Sequence, residues 1–377
     1  MISKSMPVNS RRNFLKRIGG AAGFFVLSSR AFPFPNFYSQ VNEFEMLVVG
    51  DSLVTGLGLS EKDKFYNLVK VWLEEEFFSK NRSVNLKNKS HSGSRLFLGE
   101  KEVAALNSAG KDPEEFYHPE INFSFPSTKT QLDIAAREYL SEGKRAEDVG
   151  LILVSGGLTN INVSEVIDPF GDNDELKMQI EEFCGDMMFR FLHYAATLFP
   201  NALITVIGYY PMVSKKSSTG EVYNAILELY KFPRFTKPLM NNILTKQFFK
   251  IFHSKTSKRS RIWAENSTKA LRNAVERINE KTGKQTAVFV RSPVTEDRCF
   301  GTKNSLLFRM AKKGRSEDPL YDKRVEVCEP AIESLENVEL KFRKRFCELS
   351  AIGHPNVEGS KAYADAITRI LKAAMDV

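Results

Sequence analysis

Histidine, cysteine and tryptophan are scarce in this chain, and each scarcity narrows the chemistry. The 377 residues hold five histidines, four cysteines and two tryptophans. Neither His91, His118, His193, His253 and His354 nor Cys184, Cys299, Cys328 and Cys347 fall into a His-x-x-x-His or Cys-x-x-Cys spacing. That excludes a metal framework set by spacing, and no metal or organic cofactor is expected. Past residue 31 no apolar run is long enough to span a bilayer. There is no repeat, no low-complexity tract and no linker rich in Pro, Gly or Ser. Residues 32–377 therefore read as one domain with long insertions.

Acidic residues are missing altogether from residues 1–31. The stretch Ser10-Arg11-Arg12-Asn13-Phe14-Leu15-Lys16 has the form of a twin-arginine signal. An apolar segment from Ile18 to Leu27 and the small-residue site Ser29-Arg30-Ala31 follow it. Residues 1–31 are expected to be a signal peptide that takes the folded chain out of a bacterial cytoplasm. The product would be periplasmic or secreted, or anchored if the signal stays uncleaved. The whole chain carries a net charge of +8, and the signal carries six basic residues. Its removal leaves about +2, so the basic balance is not a nucleic-acid footprint.

Short apolar runs predict strands over 44–49, 84–87, 150–154, 203–207 and 286–290. Helical patterns are predicted over 64–78, 128–140, 176–198, 267–281 and 358–375. Alternating strands and helices argue for a mostly parallel sheet covered on both faces. Residues 94–127 and 213–262 break the alternation. The first holds Phe97, Phe116, Tyr117, Phe123 and Phe125. The second, a candidate lid, holds Tyr230, Phe232, Phe235, Phe248, Phe249 and Phe252, with Trp263 just beyond. Such aromatics suit an acyl or lipid-like substrate, and equally a core beneath an irregular insertion. The basic run from Lys255 to Arg261 reads as a solvated face, with a membrane-surface contact as the second reading.

The chemistry sits at the two ends of the domain. Gly50-Asp51-Ser52-Leu53 follows the first strand directly, and Gly353-His354-Pro355-Asn356 precedes the last helical pattern. A hydroxyl at a strand's carboxyl end and an imidazole before the last helix are the parts of nucleophilic ester hydrolysis. An open α/β sheet binds ligands where they would meet.

On these motifs, in this order, the chain from about residue 44 onward resembles the SGNH, or GDSL, hydrolase family. The resemblance implies a flavodoxin-like three-layer α/β/α fold and esterase, lipase, deacetylase or acyltransferase activity. It makes Ser52 the nucleophile and His354 the base. It makes the N–H groups of Ser52 and Gly93, the latter in Ser92-Gly93-Ser94, oxyanion donors. The third block, Ser155-Gly156-Gly157-Leu158-Thr159-Asn160, departs from the family's Gly-x-Asn-Asp pattern. Either Thr159 or, with the loop shifted by one, Asn160 would be the third donor. The family's Asp three residues before the histidine is Ala351 here. The Ala351 main-chain oxygen would then orient the imidazole, with the Glu348 carboxylate as a lesser substitute. Asp51 is expected to cap or brace the turn.

A bridge between Cys328 and Cys347 would tie down the segment bearing His354. Cys299 is an alternative partner, and Cys184 reads as a buried thiol. The resulting expectation is an exported serine ester hydrolase acting on a small-molecule, lipid or glycan ester. Two rivals differ in class: an acyltransferase using the same residues on a sugar or lipid acceptor, and a non-catalytic lipid- or glycan-binding descendant. Oligomeric state is not set by the sequence.

Overall fold

The computed structural model describes residues 43–117, 120–229, 243–311, 314–333 and 344–375. The expected signal over residues 1–31 lies outside the described residues, as do His118, Tyr230, Phe232, Phe235 and the side chain of Phe248.

Five strands form one sheet: β1 (Glu43–Gly50), β2 (Ser83–Asn88), β3 (Val149–Ser155), β4 (Leu203–Ile207) and β5 (Ala287–Val290). Their order is β2-β1-β3-β4-β5 and every pairing is parallel. β3 and β4 are buried along their whole length, as is β1 after Glu43. That is why they read as unbroken apolar runs. β2 lies at the edge and protects it with charge. Lys87 and Lys89 reach Glu138 at 3.2 and 2.5 Å, and Lys87 also reaches Glu142 at 2.5 Å.

The connecting helices, in chain order, are α1 (Ser52–Thr55), α2 (Phe65–Trp72), α3 (Glu100–Ser108), α4 (Thr128–Ser141), α5 (Leu158–Ile161), α6 (Val163–Ile167), α7 (Asn173–Ile180) and α8 (Met188–Leu198). They continue with α9 (Thr219–Leu229), α10 (Ile243–Thr282), α11 (Tyr321–Glu333), α12 (Lys344–Glu348) and α13 (Val357–Met375). α2 packs with α13 on one face of the sheet, and α4, α8 and α10 pack in sequence on the other. Right-handed crossovers require this division. The path from β1 to β2 runs one way along the sheet, and every later step runs the other way. The result is a three-layer α/β/α fold of flavodoxin-like strand order. Its direction reverses between β1 and β3, which opens a crevice at their carboxyl ends.

The two irregular regions resolve differently from each other. In the 94–127 connection, Leu106, Ile121, Phe123 and Phe125 form a second small core with Cys328, Ala331 and Cys347. Tyr117 meets Phe123 edge-on, with ring centroids 4.7 Å apart. Phe123 and Phe125 are core, Tyr117 and Phe97 are half-buried against core residues, and Phe116 is exposed. Beyond a turn over 213–218, the described part of the 213–262 segment is helical: α9 and the first half of α10. The predicted helix over 267–281 covers only the second half of α10. The first half buries His253, Thr256, Ser257, Arg259 and Ser260, so no apolar stripe betrays it. Arg259 also departs from a solvated face: it is buried and donates to the carbonyls of Asp172 and Glu165, each at 2.7 Å. Among the described residues no helix is long and apolar enough to cross a membrane.

Candidate active site

Ser52 and His354, 302 residues apart in the chain, meet at the crevice: His354 Nε2 lies 2.7 Å from Ser52 Oγ. The turn that presents Ser52 is built from three contacts. Gly50, opposite Ser155 in the sheet, has φ +130°, and a Cβ there would stand 2.3 Å from the Ser155 carbonyl oxygen. Only glycine lets β1 and β3 close at this level. Gln131 of α4, fully buried, accepts the Gly50 N–H at 2.7 Å and donates to the Gly50 carbonyl at 3.2 Å and to Ser94 Oγ at 2.8 Å. Asp51 then caps α1, accepting the Leu53 N–H at 3.1 Å.

The Asp51 carboxylate is buried and has two further donors, Ser155 Oγ at 2.6 Å and the Tyr209 hydroxyl. Burial pushes its pKa up, and the hydrogen bonds from Ser155, Tyr209 and Leu53 pull it back. The carboxylate braces the turn and does not touch His354.

The His354 segment is pinned from several sides. The Tyr210 hydroxyl donates to the Gly353 carbonyl at 2.8 Å. Phe308 exchanges backbone hydrogen bonds with it, its N–H donating to the His354 carbonyl at 2.8 Å and its carbonyl accepting the Gly353 N–H at 3.0 Å. Asn356 accepts the Gly359 N–H at 2.9 Å with its side chain, opening α13. Desolvation, and after it the Arg324 guanidinium, push the imidazole pKa down to about 4. The Ser350 carbonyl, Asp318 and the Ala351 carbonyl act in the opposite direction.

Of the expected orienting groups, the Ala351 carbonyl lies against the imidazole and raises its pKa, as the Ser350 carbonyl does, while the Glu348 carboxylate is engaged by Arg345. The Ala351 main-chain oxygen accepts the backbone N–H of His354 at 2.9 Å. His354 Nδ1 is buried, and neither carbonyl meets it in full hydrogen-bond geometry. The Glu348 carboxylate is held by Arg345 at 2.9 Å. A buried ion cluster also steadies the segment. Arg324 of α11 donates to Glu120 at 2.7 Å, to Asp318 at 2.6 Å and to the Glu348 carbonyl at 3.1 Å. A disulfide between Cys328 and Cys347, Cα atoms 5.8 Å apart, joins α11 to α12 beside it. Cys184 and Cys299 are free and buried.

Ser52 and His354 open onto a cavity of about 240 Å³. Its far wall is apolar, with Val163 and Ile167 of α6, Val222 and Ile226 of α9, Trp263 of α10 and Phe346 of α12. α9 and α10 thus bring part of the 213–262 segment to the site. Among the described residues the backbone N–H groups of Ser52 and Gly93 donate to no protein acceptor. Neither expected side-chain donor is in the same position. Thr159 lines the cavity, but its hydroxyl donates to the Ser94 carbonyl at 2.5 Å. Asn160 turns away, accepting the Leu96 N–H at 3.2 Å and directing Nδ2 to Met187 Sδ at 3.6 Å.

Sequence reasoning misses Tyr209, Tyr210, Arg324, Asp318, Glu120 and Asn122, which also lines the cavity. The tyrosines follow β4, and a carboxyl strand end was a usable signal. Nothing local marks the others. Among the described residues no group of three or more His, Cys, Asp or Glu could hold a metal ion.

No protein-family model matches the chain. No curated protein matches it either. Solved structures similar to it include an extracellular lipase from Streptomyces rimosus, at 9% identity over 86% of this chain and 99% of the lipase, with a TM-score of 0.44. A phospholipase A1 from Streptomyces albidoflavus is similar at 9% identity over 86% of this chain and 98% of its own, TM-score 0.41. A family 2 carbohydrate esterase with a carbohydrate-binding domain, from Corynascus thermopiles, is similar at 13% identity over 92% of this chain and 68% of its own, TM-score 0.37. At these TM-scores the likenesses carry no weight for the chemistry, which rests on the geometry above.

Proposed function

We propose that this chain is a serine ester hydrolase of the SGNH type, acting through an acyl-enzyme on Ser52 with His354 as base. The observation that carries the reading is the 2.7 Å contact between Ser52 Oγ and His354 Nε2 at the mouth of an apolar cavity. His354 Nε2 takes the Ser52 proton as Oγ bonds to the ester carbonyl carbon. The carbonyl electron pair moves onto oxygen, facing the N–H groups of Ser52 and Gly93. Collapse expels the alcohol, which takes the proton back from Nε2. Water then repeats the cycle: its proton goes to Nε2, its oxygen bonds to the acyl carbon, and the acid leaves as Oγ recovers a proton.

The apolar wall supports an acyl group on the bound side of the ester. The export reading is supported by the Cys328–Cys347 disulfide, a bond suited to an oxidising compartment. The test is hydrolysis of short and long p-nitrophenyl esters by the protein beside Ser52→Ala and His354→Ala. We expect turnover to fall by about 10⁴-fold or more in each variant, leaving only what binding and the oxyanion donors supply. Equal rates in all three proteins would sink the reading.

A further inference from the structure

Two of the three oxyanion donors expected by resemblance, the backbone N–H groups of Ser52 and Gly93, have no protein acceptor among the described residues. The third position is empty of Thr159 and Asn160, whose polar atoms are taken up elsewhere. We propose that Asn122, from the connection between β2 and α4, donates that hydrogen bond through its side-chain Nδ2. The proposal rests on the hydrolase reading above.

Three observations place it. Asn122 lines the same cavity as Ser52 and His354. Its Oδ1 accepts a hydrogen bond from the buried Ser92 hydroxyl at 3.0 Å, and among the described residues its Nδ2 makes none. The amide is thus oriented with its acceptor engaged and its donor unspent. It also stands against Gly93: a Cβ on that residue, whose φ is +86°, would come within 2.6 Å of Asn122 Oδ1 and of the Phe123 carbonyl oxygen.

The segment is held in register with the Gly93 turn by the main chain. Phe123 N–H donates to the Ser92 carbonyl at 3.0 Å, and Arg95 N–H to the Ser124 carbonyl at 3.1 Å. A donor fixed this way needs no reorganisation when charge appears on the substrate oxygen. Asn122 therefore fills, from a different loop, the place the β3 loop leaves vacant. No atom is transferred to it. The Nδ2 proton stays on nitrogen and the hydrogen bond strengthens as the carbonyl electron pair moves onto oxygen.

The experiment compares the full-length protein with Asn122→Ala, Asn122→Asp and Thr159→Val on p-nitrophenyl butyrate. Inhibition by butylboronic acid, whose tetrahedral adduct on Ser52 Oγ imitates the oxyanion, and thermal unfolding are measured alongside. We expect Asn122→Ala to lose about 10²–10³ in kcat with little change in KM, and to lose boronate affinity in step. Asn122→Asp, of the same shape but anionic, is expected to lose at least as much. Unfolding curves that superimpose on wild type assign the loss to the donor. An Asn122→Ala kcat within tenfold of wild type overturns the proposal. So does a loss confined to Thr159→Val, or one that tracks a lowered fraction of folded protein while boronate affinity per folded site stays intact. A wild type no faster than Ser52→Ala overturns the hydrolase reading and this proposal together, an outcome distinguishable from all the others.

Discussion

His354, half-buried at the cavity, and His91, fully buried, are two imidazoles with separate consequences. His354 must be neutral to accept the Ser52 proton, and its pKa is pushed down to about 4. The acid limb of kcat/KM is therefore expected near pH 4, well below the ordinary imidazole value, and a pH profile on a neutral ester checks it. An acid limb at 6 to 7 would mean an imidazole far better solvated than the one seen. His91, after β2, is fully buried with both ring nitrogens unpartnered among the described residues, and desolvation pushes its pKa down to about 4 as well. Between pH 4 and about 6.5 the unfolded chain binds a proton at this residue that the folded chain does not. Stability is then complete above 6.5 and declines as the pH falls to 4, by at most about 3 kcal/mol from this one group. Urea unfolding of His91→Phe across that range is expected to show a flatter acid limb than wild type. At this scale Ser52, His354 and Gly93 were legible because each follows or precedes a strong periodic element. Asn122 was not, because its role depends on Ser92 and Gly93 lying against it, which no spacing reveals.

α11 shows how one element is built for its neighbour. It carries both the Arg324 cluster and Cys328, and both tie it to the segment that leads to His354. Burial pushes the Glu120 pKa up, and Arg324 and Lys64 hold it back. Arg324→Met leaves the Asp318 and Glu120 carboxylates buried without their cation. It is expected to cost about 3–5 kcal/mol, read as a lowered urea midpoint, with loss of activity following from a slack His354 segment. A midpoint unchanged within error would mean the carboxylates are neutral or hydrated in solution. The strands were readable from sequence to within a residue or two, since β1, β3 and β4 are buried on both faces and must be apolar throughout. The first half of α10 was not, since its buried positions carry His, Thr, Ser and Arg. Its polar stripe turns inward, toward Glu165 and Asp172 for Arg259.

At the scale of the whole molecule, the site is the meeting of widely separated segments around one reversal of strand direction. The cavity's wall comes from α6, α9, α10 and α12, and of these only α12 lies near His354 in sequence. If acyl chains fill it, kcat/KM is expected to rise by up to about fourfold per added CH₂, the factor that corresponds to roughly 0.8 kcal/mol, until the wall is reached. A Val222→Trp change at the wall is expected to move that plateau to shorter esters while sparing the acetate ester. A chain-length series on both proteins checks it, and flat profiles would place the acyl group outside the cavity. The sequence by itself determined the alternation of strands and helices, the two ends of the domain that carry hydroxyl and imidazole, and the pairs of cysteines open to bridging. These follow from periodicity and from short-range turn chemistry, which act within a few residues. Only the tertiary structure decided which side chains line the cavity beside Ser52, which carbonyls lie against the His354 ring, and which buried arginine steadies the segment that bears it. Those outcomes depend on hydrogen-bond partners tens to hundreds of residues apart, and they exist only once the sheet has brought its strand ends together.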